Sequence, residues 1–154
     1  MAPELKRLAP EELDLLSRAP ILGSILIAGA DGNIDRSEIQ GAVQTAQKKS
    51  RGKSSLQAYY QEVVTDFEDK LKVILHNYPG DAGQRNNEIS HELTGLNSIF
   101  KKVEGTLPGD IYESLKNLAM NIAKSSGGIF GMSSIGPEEA RYVDLNMIAP
   151  PSKT

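Results

Sequence analysis

Three carboxylates crowd one short stretch of the chain, Asp31, Asp35 and Glu38, with Asn33 between the first two. Oxygen donors grouped in this way suit a hard divalent cation, Ca²⁺ or Mg²⁺, which takes carboxylates, carbonyls and water as ligands. The spacing Asp31-x-Asn33-x-Asp35 matches the opening of an EF-hand loop. The rest does not: the glycine needed at the sixth position is Arg36, and the bidentate glutamate needed at the twelfth is Ala42. Calcium usually takes about six to eight oxygens, so the turn would need further donors, for which Glu138 and Glu139 are the candidates. A plainer chemistry competes. Asp35 followed three residues later by Glu38 is a capping-box pattern, with Ile34 and Ile39 at the flanking hydrophobic-staple positions, and Asp110 and Glu113 repeat the spacing at another helix start.

Other reactive groups are sparse. There is no cysteine, which excludes disulfides, zinc–thiolate sites and thiol nucleophiles. His76 and His91 fall on different predicted helices with no second ligand at helical spacing, so neither reads as metal-binding or catalytic. No serine stands in a Gly-x-Ser-x-Gly elbow, and the glycine-rich run Gly127 to Gly131 lacks both the phosphate-loop lysine and the GxGxxG spacing. The sequence predicts no enzyme and identifies no small-molecule substrate. The basic run from Lys48 to Lys53 could meet phosphates or an anionic membrane surface, but reads first as a helix C-terminus whose cations complement the dipole. Ile129 and Phe130 could plug their loop onto the core or anchor a partner.

The elements that must position these groups are helices. At 154 residues, 39% hydrophobic and 24% charged, the chain has the size and balance of one folded domain, expected over 1–149 with a disordered tail over 150–154. A net charge of −3 argues against nucleic acid as a partner. The N-terminal residues lack the basic-then-apolar pattern of a secretory signal, and the expectation is a cytoplasmic protein. Pro10 opens a helix that Pro20 ends or kinks, and a second runs from Ala19 to Ala30, apolar over so much of its circumference that it should form the centre of the core. Ile39, Ala42, Val43 and Ala46 mark the next helix, which stops near Ser50 to Gly52. One long apolar stripe spans Ser55 to His76, and another spans Ile89 to Val103, interrupted by Gly95; two long antiparallel helices are expected. A helix bearing Ile111 to Ala123 follows, then a short one from Pro137 carrying Tyr142, Val143 and Leu145. Nothing alternates at period two, so the fold class is all-α.

An internal echo aligns Ile27-Ala28-Gly29-Ala30-Asp31-Gly32 and Ile34-Asp35-x-x-Glu38 with Ile122-Ala123-Lys124-Ser125-Ser126-Gly127 and Ile135-Gly136-x-x-Glu139. Each copy reads as helix, glycine turn, helix. The first copy, with the apolar helix before it, resembles the TerB-like family associated with tellurite resistance. The later run through Phe130-Gly131 and Pro137-Glu138-Glu139 resembles that family's second half. The resemblance implies a compact helical fold of two weakly related helix-turn-helix halves, a role in chemical-stress response, a protein partner, and a setting in the cytoplasm or on the inner face of the membrane. It also implies an acidic divalent-cation site falling here on Asp31, Asp35 and Glu38 with Glu138 or Glu139. Ser126 and Gly136 depart from the pattern, because neither carries the expected charge.

Overall fold

The computed structural model describes residues 3–29, 34–126 and 142–151, and is all-helical, with no strand among those residues. After a single 3-10 turn at Pro3–Leu5 come α1 (Pro10–Ala28), α2 (Arg36–Lys49), α3 (Ser54–Val64), α4 (Phe67–His76), α5 (Ala82–Leu93), α6 (Leu96–Lys102) and α7 (Leu107–Ser126). α1 is the axis: α7, α2 and α3 pack on it and on one another, while α5 and α6 cover another part of its circumference. Every residue of α1 from Ala19 to Ala28 is buried, as an apolar perimeter requires. The buried hydrophobic residues of the helices, together with Val143, Leu145 and Ile148, join in one cluster. None of the described helices is long and apolar enough to cross a membrane.

Pro20 does not end α1. Proline has no N–H to give the carbonyl four residues back, and that carbonyl, on Leu16, instead accepts a buried hydrogen bond of 2.7 Å from the Tyr59 hydroxyl of α3. The Ser24 hydroxyl donates to the Pro20 carbonyl at 2.6 Å one turn on. The helix therefore continues through the proline because a tertiary donor replaces the missing backbone one. At its start, Ala9 N–H donates to Glu12 Oε1 at 2.9 Å, and Lys102 of α6 pairs with the other oxygen of Glu12 at 2.5 Å.

Both expected long helices are broken: α3 packs on α2, α1 and α7, and α5 and α6 pack on α1, rather than as one antiparallel pair. Thr65 is extended and Asp66 is left-handed, at φ 53°. The Thr65 hydroxyl donates back to the Gln61 carbonyl, and Lys70 Nζ takes the carbonyl of Glu62, so the break leaves these acceptors satisfied. Periodicity missed it because the apolar stripe resumes in phase: Phe67, Leu71 and Ile74 are buried like Leu56, Tyr60 and Val63. The second break, at Thr94 and Gly95, brings the chain against α1, where a Cβ on Gly95 would stand 2.9 Å from Leu15 Cδ2.

Residues 142–148 form turns, not the expected helical continuation. Leu145 is left-handed, at φ 48°, and the Asn97 side chain clasps the segment, donating to the Met147 carbonyl at 3.0 Å and accepting from Ala149 N–H at 2.7 Å. The expected helix start at Pro137 and the last residues of the expected tail, 152–154, lie outside the described residues. Pro150 is exposed and Pro151 half-buried beside this clasp.

Candidate functional site

The acidic turn lies between the C-terminus of α1 and the N-terminus of α2. Its two ends nearly touch: a Cβ on Gly29 would be 3.0 Å from Ile34 Cγ1. Asp35 is the N-cap of α2, with extended backbone, and its Oδ1 accepts from Ser37 N–H at 3.0 Å, Ser37 Oγ–H at 2.7 Å and Glu38 N–H at 3.2 Å. The Ser37 hydroxyl first, and then the backbone donor of Glu38, hold the Asp35 carboxyl below the ordinary carboxylate range. Asp35 Oδ2 takes no hydrogen bond among the described residues. Glu38 is half-buried in the first turn of α2, next to that cap. Ile34 packs against the core and Ile39 is fully buried, which anchors both sides of the cap.

The sequence-predicted donors divide into two groups. Asp35 and Glu38 are brought together on one helical turn. Asp31, Glu138 and Glu139 lie outside the described residues, as do Gly136 and the loop carrying Ile129 and Phe130, so nothing further is assigned to them. Among the described residues no group of three or more histidines, aspartates or glutamates is placed to hold a metal ion. Ionised Asp35, through Oδ2, and Glu38 are donors of the right kind for a hard cation. Two carboxylates fall short of the roughly six to eight oxygens calcium prefers, so the described part of the turn does not by itself make a centre.

Arg85, which sequence reasoning passed over, sits at this junction. It is 6% exposed, and its Nη2 donates to the Gly29 carbonyl at 2.7 Å, tying α5 to the end of α1. A cation at a helix C-terminus complements the dipole. Its Nε has no hydrogen-bond partner among the described residues, and burial pushes its pKa down, partly offset by the charge of Asp81. The signal was present: Arg85, Ile89 and Leu93 share the i, i+4, i+8 row of an apolar stripe, where an arginine is out of place unless it is bonded.

The remaining candidates have structural partners or open positions. Lys48 and Lys49 end α2 in its last turn, and Lys53 pairs with Asp110 at 3.2 Å. Asp110 lies inside the first turn of α7 rather than before it, so the second capping-box expectation fails there. His76 and His91 are exposed in the last turns of α4 and α5. No family model, curated protein or solved structure matches the chain.

Proposed function

We propose that this chain is a non-enzymatic helical protein whose acidic turn takes up a divalent cation, Ca²⁺ or Mg²⁺. Asp35 and Glu38 would supply two ligands, and Asp31 with Glu138 or Glu139 would complete the set. The observation that carries this reading is the state of Asp35: three donors on one oxygen hold its carboxyl below the ordinary range, while the other oxygen takes no hydrogen bond among the described residues. In keeping with the TerB-like resemblance, the role is in tellurite or chemical-stress response, in the cytoplasm or on the inner face of the membrane. Cation uptake would fix the helices at the turn and alter a surface seen by a protein partner.

A second reading is favoured by the same geometry. The three bonds to Asp35 Oδ1 are sufficient for a helix cap, and the buried Arg85 guanidinium supplies positive charge at the junction without a metal. On that reading the protein is a helical interaction module with no metal site. Thermal melts of the chelator-treated protein separate the two. A site filled at about 100 times its Kd stabilises the fold by roughly 2.7 kcal/mol. The cation reading therefore expects a rise in Tm with Ca²⁺ or Mg²⁺ that Asp35→Asn reduces; an unchanged Tm supports the cap alone.

A further inference from the structure

At the end of α1 the acidic turn meets a buried charge of the same sign as its proposed cargo. Arg85 Nη2 stands 2.5 Å from the position a Gly29 Cβ would take, and Ile34 Cγ1 stands 3.0 Å from the same point. The guanidinium is therefore a neighbour of Ile34, one residue before the cap Asp35. Among the described residues its one side-chain hydrogen bond goes to the Gly29 carbonyl, at 2.7 Å.

That carbonyl is an oxygen donor of the kind a hard divalent cation takes, at the mouth of the turn. Arg85 occupies it and lays a full positive charge beside it. A cation arriving at Asp35 and Glu38 meets both a donor already in use and a repulsion that burial screens poorly.

The hold of Arg85 on the turn is also weak for a buried cation. Its Nε has no partner among the described residues, and Asp81, the N-cap of the same helix, acts on it only through its charge. One neutral acceptor recovers little of the cost of taking a guanidinium out of water, so letting it go costs less than parting a bonded ion pair. Arg85 lies near the start of α5, while Ile89 and Leu93 fix the rest of that helix in the core. Releasing it frees the first turn of α5 and leaves the fold standing.

We infer that Arg85 is a latch that a divalent cation must displace: the guanidinium at the Gly29 carbonyl and the cation at the acidic turn are alternatives, and uptake frees the first turn of α5. The latch rests on the cation reading above and names the surface that uptake would change. By linkage, whatever holds Arg85 in place weakens the cation by the same factor as the cation weakens the latch.

The test is a titration of the metal-stripped full chain with Ca²⁺ and Mg²⁺, as wild type, Arg85→Gln and Arg85→Lys, followed at the amides of Asp35 to Ile39. Arg85→Gln should bind roughly tenfold tighter, the Coulomb effect of removing a unit charge about 10 Å from a divalent ion at a dielectric constant of about 45. Arg85→Lys keeps the charge and should stay close to wild type. An arginine that only ties α5 to α1 would leave Arg85→Gln less stable with its cation affinity unchanged. In the wild type, saturation should shift the Arg85 side-chain Nε–H resonance and speed amide exchange over Gln84 to Asn87. This second measurement needs no variant, so it decides the question if Arg85→Gln does not fold. Equal or weaker binding by Arg85→Gln, or an Nε–H signal unmoved at saturation, would overturn the latch and leave the cation site in place. No binding by any of the three chains would overturn the site and the latch with it.

Discussion

At Gly29, two demands meet on one residue. Its φ of −96° is open to any amino acid, so the glycine is there for space. A Cβ would stand 2.5 Å from Arg85 Nη2 and 2.8 Å from the Ile25 carbonyl, and one of these is backbone that cannot yield cheaply. Gly29→Ala is expected to cost about 1–3 kcal/mol, the usual range for overpacking a tight site. Gly41, exposed inside α2 with nothing near its Cβ, makes the contrast: Gly41→Ala should stabilise by about 0.5–1 kcal/mol through helix propensity. Urea unfolding of the two variants checks both signs. The role of Arg85 was readable only in part, since its place on an apolar stripe flags burial but not that its partner is a carbonyl 56 residues away.

Among the elements, α1 shows where sequence periodicity succeeds and where it stops. The apolar run from Ala19 to Ala28 announced a buried helix, and the structure places all of it in the core. The same sequence announced an end or a kink at Pro20; the end did not occur because Tyr59 supplies the hydrogen bond that proline cannot. That compensation is tertiary, and no local pattern contains it. Tyr59→Phe leaves the Leu16 carbonyl buried without a donor and is expected to cost about 1–3 kcal/mol. In a Pro20→Ala background the restored N–H can serve that carbonyl, so the same substitution should cost less; equal costs in both backgrounds would contradict the account. The breaks at Asp66 and Gly95 were hidden for the opposite reason. Each apolar stripe stays in phase across a short joint, extended and then left-handed at Thr65 and Asp66 but right-handed at Thr94 and Gly95, and one continuous helix and two in-phase helices give the same pattern. The acidic turn was legible as a cap, and the structure bears this out at Asp35.

For the whole molecule, the ionisable groups bound its stability from both sides of pH. The carboxyls of Glu12, through Lys102 and then Ala9 N–H, and of Asp35, through Ser37 and then Glu38 N–H, are held below their ordinary values. The stability they contribute is complete above the unfolded carboxylate range and is lost as pH falls through their lower folded values. Tyr59, Tyr60 and Tyr78 are pushed up, each chiefly by burial. Their contribution is complete below the unfolded value near 10 and declines as pH rises beyond about that point. Tm measured against pH should therefore show a plateau with an acid and an alkaline limb. Glu12→Gln should flatten the acid limb and leave the alkaline limb alone.

The proposed cation site is tested most directly by titrating the amide resonances of the metal-stripped protein with Ca²⁺ and Mg²⁺. The account predicts saturable shifts at Asp35 to Ile39 that are lost in Asp35→Asn, together with shifts at Glu138 and Glu139. A flat titration would contradict it and leave Asp35 as the cap of α2 alone.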